Sequence, residues 1–370
     1  MTAARKALLE TERRVLYGLV RYPGSTDKQL SAQVRLKVPT VTSIRLKLAR
    51  GGYFKTVRVP AFNRLGCELL SASLLTFSAH PPLEQKVRLV SSVLRRPEFV
   101  FGISEANQDL FLQIGADLTT VRRNTEDLEG ALKSIGYLEA PISMIQFPFS
   151  LSSVPIYFDY ANLLQHTFWP DQPLDVRTDP LPFEPGPPAA LSDKDQEVLG
   201  GLVRYPACHD LELSTRIPAS RMTIGRTKKR LARERLFALR TIPNLEYLGF
   251  EVLLVTHGWF NHTLSEGLKS YVPELVRTIG PPIFAAYGKN ELLFINAFED
   301  FARYKAAYAH FTEAYTINEI FARPPDRAIF SLRDLVTPKN HEYGDLTEAL
   351  SVPTPVRTDA RGKPRSSAQA

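Results

Sequence analysis

Cysteine is nearly missing from this sequence: Cys67 and Cys208 are the only two in 370 residues. That excludes a disulfide framework and a four-ligand zinc site, and leaves two thiols to be read as ordinary small apolar side chains. No apolar run approaches the roughly 18 residues that a membrane span needs. The opening residues, Met1-Thr2-Ala3-Ala4-Arg5-Lys6, carry no signal-peptide core, so a cytoplasmic protein with no membrane partner is expected. Gly-rich phosphate loops and nucleophile elbows are missing as well. Histidine is scarce, and its one local concentration, His257 and His262 with His310 further on, has no carboxylate beside it at metal-ligand spacing. These absences leave no catalytic residue, no metal site and no cofactor to name, and the expectation is a protein that is not an enzyme.

What is present is a repeat. Leu19-Val20-Arg21-Tyr22-Pro23 returns letter for letter as Leu202-Val203-Arg204-Tyr205-Pro206. At the same spacing, Leu48-Ala49-Arg50 returns as Leu231-Ala232-Arg233, and Phe54, Pro60, Leu65-Gly66 and Glu68 return as Phe237, Pro243, Leu248-Gly249 and Glu251. Roughly a third of the positions from Leu16 to Leu70 match without a gap, which marks a duplicated unit far longer than a solenoid repeat. The repeated string itself reads as structure: Tyr packs the end of a helix, Pro stops it, and Arg complements its C-terminus.

Charge follows the repeat. From Leu8 to Gly66 there are 12 basic and 3 acidic side chains, and from Ser192 to Gly249 there are 11 and 7, so the remainder of a chain of net charge +7 is acidic. Basic surface confined to the duplicated segments points to a polyanion there.

Each basic segment has the periodicity of three short helices and a strand. In the first, Thr11 to Val20 is helical and stopped by Pro23-Gly24; a second helix begins near Thr26 or Asp27; a third runs from about Pro39 to Arg50 with Val41, Ile44 and Leu48 on one face. Tyr53 to Val59 alternates like a strand, which completes a winged helix-turn-helix. The order strand, helix, strand, strand, helix, strand follows in both halves, with late strands at Ile142–Phe147 and Val154–Phe158 in the first. In the second a helix is expected from Leu264 to Ile279. This order is ferredoxin-like. The fold class expected is α+β, with a winged helix-turn-helix at 8–66, a ferredoxin-like domain at 67–166, a Pro-rich linker at 167–191, a second winged helix-turn-helix at 192–249, a second ferredoxin-like domain at 250–340 and a disordered tail at 341–370.

A winged helix-turn-helix closing on Val59-Pro60-Ala61-Phe62-Asn63-Arg64-Leu65-Gly66, with a ferredoxin-like domain behind it, resembles the Lrp/AsnC family of transcription regulators; Ile242 to Gly249 repeats the likeness. The resemblance implies a sequence-specific regulator that binds double-stranded DNA as a tethered intramolecular pseudo-dimer, with further homo-oligomers open. It also implies a small-molecule effector site near a hairpin Gly and an acidic residue, here Gly102 with Asp109 and Gly288 with Glu291. The third helix of each module would enter the major groove. The DNA-facing candidates are Thr40, Thr42, Ser43, Arg45 and Lys47, with Lys55 and Arg58 from the wing. In the second module they are Ser220, Arg221, Thr223, Arg226, Lys228, Lys229 and Arg230, with Arg240. The same architecture resembles the sirohaem decarboxylases of alternative haem synthesis, whose helix-turn-helix need not be basic and whose second-domain His and Arg serve the tetrapyrrole. A protein-binding module with a retired helix-turn-helix is the third reading.

Overall fold

A computed structural model describes residues 8–77, 82–134, 136–138, 141–174, 183–261 and 272–351. The chain is an α+β protein with three antiparallel sheets. Its first module is α1 (Glu10–Arg21), α2 (Asp27–Val34), α3 (Val38–Arg50) and β1 (Phe54–Pro60). Helix α1 begins one residue before Thr11, with Leu9 at the cap and its N–H bonded to Glu12 at 3.0 Å. Helix α2 starts on a Thr26 and Gln29 capping box. The two helices approach so closely that a Cβ on Gly18 would stand 2.7 Å from Leu30 and Val34, so only glycine fits there.

The second module mirrors the first: α7 (Asp193–Arg204), α8 (Asp210–Leu213), α9 (Arg221–Arg233) and β7 (Phe237–Pro243). Strands β1 and β7 pair in a two-stranded sheet of their own. The register sets Val57 opposite Arg240, the residue that holds the place of Val57 in the second repeat. A pseudo-two-fold axis therefore passes through that pair.

The ferredoxin-like parts are β2 (Leu69–Thr76), α4 (Leu83–Leu94), β3 (Phe99–Ser104), β4 (Gln108–Gly115), α5 (Leu118–Lys133) and β5 (Ser143–Pro148), then β8 (Val252–Trp259), α10 (Val272–Thr278), β9 (Phe284–Tyr287), β10 (Glu291–Phe298), α11 (Phe301–Ile317) and β11 (Asp326–Ser331). The expected start of α10 at Leu264 lies outside the described residues. Each half then contributes one more strand, β6 (Ser153–Tyr157) and β12 (Val336–Asn340), and one more helix, α6 (Ala161–Phe168) and α12 (Gly344–Ser351).

Those last strands are exchanged. Strand β6 joins the second sheet beside β9, and β12 joins the first beside β3, giving the orders β11-β8-β10-β9-β6 and β12-β3-β4-β2-β5. The period of two along each strand sorts the side chains. Leu70, Ala72, Leu112, Leu253, Val255 and Ile295 face inward, in one apolar core that also takes in Val15, Leu16, Val198 and Leu202 of the modules. Phe99, Phe111 and Leu128 pack under the helices of the first sheet, and Leu254, Phe294 and Phe311 under those of the second.

Residues 341–351, expected to belong to a disordered tail, are ordered. His341 and Tyr343 are buried, and α12 docks on α7 through ion pairs of Arg204 with Asp345 and Glu348, each at 2.7 Å. The apolar residues Tyr343 and Leu346 bury enough surface to order this short stretch. Residues 352–370 lie outside the described ones. The Pro-rich segment also reaches the core at one point, where Phe183 is buried.

Candidate functional site

A cavity of about 410 Å³ opens where the β1–β7 ribbon meets the facing sheets. Phe54, Phe101, Ile103, Phe158, Ile242, Leu253, Ile283, Ile295, Leu332 and Leu335 give it apolar walls over about half of its lining, the rest being polar. Among the described residues Lys55 is its one cation and Glu246 its one carboxylate; Tyr160, Asn244, Asn340 and His341 add polar atoms. Apolar walls with a few convergent polar groups are the common form of a small-molecule site.

Two side chains in it are chemically prepared. His341 follows β12 at φ +57°, a left-handed backbone that a bulky residue adopts only when its surroundings enforce it. Its Nδ1 lies 2.8 Å from Oδ1 of Asn340, so the Nδ1–H donates there and Nε2 keeps its lone pair. That Nε2 is buried and has no hydrogen-bond partner. Burial, and the nearby Lys55, hold the imidazole well below its ordinary pKa, so it is neutral. Lys55 donates to the Asn340 carbonyl, and burial brings its amine down to about 8 against a weaker upward pull from Glu342. Phe158 and Phe101 wall the imidazole at ring separations of 4.3 and 4.9 Å.

The repeat supplies an internal control. Across the pseudo-two-fold axis the position of His341 is held by Phe158, at φ +47°, and that of Lys55 by Ala238. The positions of Leu332, Asn340 and Leu245 are held by Phe149, Tyr157 and Phe62. Between them lies Phe183, stacked on Phe149 at 4.9 Å and edge-on to Tyr157 at 4.8 Å. Asn63 donates to the Glu184 carbonyl at 2.9 Å, and Arg235 pairs with the Glu184 carboxylate at 2.9 Å. Asn63 and Arg235 are the counterparts of Glu246 and Gly52, which line the open cavity. One compartment is open and carries Lys55 and His341; its twin is filled by the linker.

The residues expected to face DNA divide differently from that expectation. Arg45 is held by Asp27 at 3.1 Å and by the Ser25 carbonyl at 2.9 Å; Lys47 pairs with Glu12; Thr42 bonds Asp27. Thr40 and Ser43 are not charged, and Leu46 is 49% exposed on the outer side of α3. Arg58 is buried, giving its guanidinium to the Leu202 carbonyl, and Arg240 is buried on the axis. Lys55 lines the cavity. In the second module Ser220 caps α9 by accepting from the Thr223 N–H, Lys228 pairs with Asp210 at 2.8 Å, and Arg230 pairs with Asp195. Arg221, Arg226 and Lys229 remain on the exposed side, joined by Arg233.

The four effector candidates do not converge. Gly102 faces the α4–α5 side, where a Cβ would meet Phe111 at 2.5 Å. Asp109 is wholly buried in an ion pair with Lys86 at 2.6 Å and accepts from Ser104. Gly288 sits in the β9–β10 turn, and Glu291 bonds His257 at 3.0 Å. The strand registers give Gly102 and Asp109 the counterparts Ala285 and Leu292 rather than Gly288 and Glu291. His262 lies outside the described residues, and no metal-ligand cluster occurs among those described.

His341 escaped the sequence reading because it fell in the expected tail, and Lys55 entered it only as a wing cation. The signal that finds both is a difference between the halves: an otherwise apolar pair of positions is polar on one side alone.

No protein-family model and no curated protein matches the sequence. Among solved structures, the siroheme decarboxylase NirDL aligns over 92% of this chain and 98% of its own at 11% identity and a TM-score of 0.49. The same enzyme in complex with an iron-uroporphyrin III analogue aligns at a TM-score of 0.48. An AsnC family regulator from Agrobacterium tumefaciens aligns over 38% of this chain and 89% of its own at 15% identity and a TM-score of 0.31. At such identities the likeness is one of fold. It corrects one expectation all the same: the chain was read as not an enzyme, yet the matches that span nearly its whole length are with an enzyme, while the regulators match part of it.

Proposed function

We propose that this chain is an enzyme with one working site, the open cavity, with Lys55 as its proton donor and His341 as the residue that positions it. The observation that carries this is the asymmetry: the polar pair and the open volume occur together on one side of a two-fold repeat, while on the other Phe158 and Ala238 hold the pair's positions and Phe183 packs against Phe149 and Tyr157. A lysine brought to about 8 is a usable acid near neutral pH, whereas the buried imidazole, held well below its ordinary pKa, is a poor base and acts by position.

Decarboxylation, the activity named for the NirDL neighbour, is the reaction class that this environment suits. Apolar walls take water away from a substrate carboxylate and weaken its ground state. When the C–COO⁻ bond breaks, its electron pair stays on carbon and CO₂ leaves. The carbon takes a proton from the Lys55 ammonium, which solvent then replaces. His341 gives its Nδ1–H to Asn340, whose carbonyl takes the Lys55 amine, and so holds the ammonium in place. No oxidant or reductant is required.

The silent half supplies the test. Lys55→Ala and His341→Phe install the residues that the twin carries, so the fold should accept them. CO₂ release from a panel of planar carboxylic acids is expected to fall by roughly 10² or more in Lys55→Ala, the usual worth of a positioned acid, and by less in His341→Phe. Turnover unchanged in both would remove the reaction from this cavity.

A second reading has its own observation. On α9, Arg226, Lys229 and Arg233 follow one another at helical spacing, all exposed like Arg221, and none of the four forms an ion pair among the described residues. The corresponding stripe of α3 reads Ser43, Leu46 and Arg50. A polyanion such as a nucleic-acid backbone would meet the second module alone. Binding of duplex DNA that is insensitive to salt would exclude it.

A further inference from the structure

Lysine is among the side chains least often buried without a partner. Lys339, in β12, is 7% exposed. It stands opposite Gly102 in the register, and a Cβ added to Gly102 would lie 3.7 Å from the Lys339 Cβ, so the lysine stem runs beside a position that has no side chain. Its ammonium pairs with Glu342 at 3.1 Å. Glu342 is fixed twice more: its N–H donates to the Val100 carbonyl at 2.9 Å, and its carboxylate accepts from the Asn340 N–H at 3.4 Å. Asn340 is the residue whose carbonyl takes the Lys55 amine. One carboxylate therefore answers to two lysines, gripped by Lys339 and favouring the charged form of Lys55. Among the described residues, Glu342 and His341 are the titratable groups that interact with the Lys55 amine; Glu246 and Tyr160 line the same cavity.

The repeat singles out Lys339 independently. Across the pseudo-two-fold axis Ile156 holds its position, Asp159 that of Glu342 and Ala238 that of Lys55. Asp159 accepts from the Ala161 N–H at 2.9 Å, at the start of α6. Both lysines occur on the cavity side and both positions are apolar on the other, so a strand in this place packs well enough with isoleucine. Resting on the reading of Lys55 as the proton donor, we infer that Lys339 is a positioning residue for it: by pairing with Glu342 it limits how firmly that carboxylate holds the Lys55 proton, and keeps Lys55 ready to give it up. Without Lys339 the carboxylate is left with Lys55 alone to balance its charge, and the Lys55 ammonium becomes harder to deprotonate.

Trace acetylation of the full chain tests this with no substrate present. Acetic anhydride reacts with the uncharged amine, so the yield at Lys55 against pH, read by peptide mass spectrometry, gives the midpoint of its proton loss. Lys339→Ile, the residue that the twin carries, should raise the midpoint by about half a pH unit, the size expected of a partly exposed charge pair. Lys339→Arg should leave it in place. Glu342 has a side chain 53% exposed, so Glu342→Gln should fold as wild type and lower the midpoint. Adding Lys339→Ile to Glu342→Gln should then change little, because Lys339 acts through Glu342. A midpoint that Lys339→Ile does not raise, or raises equally when Glu342 is gone, overturns the inference. The alkaline limb of CO₂ release should move with the same midpoints. Midpoints that shift as expected while Lys55→Ala leaves CO₂ release unchanged would uphold the hold of Lys339 on the Lys55 proton and end the reading of Lys55 as the donor. Midpoints that stay fixed while Lys55→Ala loses CO₂ release would do the reverse.

Discussion

Shortening Phe183 to alanine should do two things at once. The ring is 8% exposed and meets two aromatic neighbours at under 5 Å. Removing a buried Phe side chain costs about 3–5 kcal/mol, with the spread set by how far the surroundings collapse into the hole. Phe183 belongs to an irregular segment rather than to a helix or strand, so the segment can sag. The lower end, about 3 kcal/mol, is expected, of which roughly 1 reflects the aromatic pairs beyond their area. Urea unfolding followed by tyrosine and tryptophan fluorescence measures it, with Leu151→Ala, 76% exposed, as the control that should change little. The vacated compartment is apolar and should take naphthalene. Mass action at about a hundred times its dissociation constant would restore some 2.7 kcal/mol. A loss below about 1 kcal/mol, with no recovery on adding naphthalene, would mean that Phe183 does not fill the twin compartment.

Lys86→Met should destabilise by about 3–5 kcal/mol, because it leaves Asp109 buried without its partner. The double variant Lys86→Met, Asp109→Leu should recover most of that in the same urea assay, since Leu292 already holds the Asp109 position in the second sheet. Lys55 is charged in the unfolded chain up to about 10.5 and in the folded chain only to about 8. The unfolded chain therefore holds the extra proton between these values, and the stability of wild type minus that of Lys55→Ala should rise with pH from about 8 to 10.5. A flat difference would show that the amine is not desolvated. Reversing Arg226 and Lys229 to Glu should abolish any salt-dependent binding of duplex DNA, read by fluorescence anisotropy. Reversing Arg45 and Lys47 should instead lower the melting temperature, because Asp27 and Glu12 lose their partners.

The repeat, the helix boundaries of the modules and the α+β class were legible in the sequence because they rest on local signals: caps, Pro and Gly punctuation, and periods of 3.6 and 2. Thr26 and Ser192 cap helices as their types require. The free and the committed cations were not legible. Arg45 and Arg226 read alike in sequence, and only the fold pairs one with Asp27 while the nearby Asp210 pairs with Lys228 rather than with the other. The cavity was hidden for the same reason. Its lining comes from β1, β3, β7, β8, β10, β12 and the connecting segments, and His341 follows a strand that had to cross to the other half before its surroundings existed. The effector candidates misled through spacing: Gly288 and Glu291 look like Gly102 and Asp109 only when register is ignored.

The crossing of β6 and β12 has a bearing on how the chain is made. Synthesis delivers the first sheet early, but its outer edge at β3 waits for β12, which lies near the other end of the described chain. Until then β3 offers unpaired backbone groups, the kind of edge along which separate chains join. Strand β6 emerges before the sheet that will receive it. On a crowded ribosome cluster, the missing strand can be found sooner on a neighbour than on the chain's own unfinished end, giving interlocked dimers of the same fold. The rate of synthesis through the second half, as well as the stability of the finished protein, sets how much chain matures as monomer.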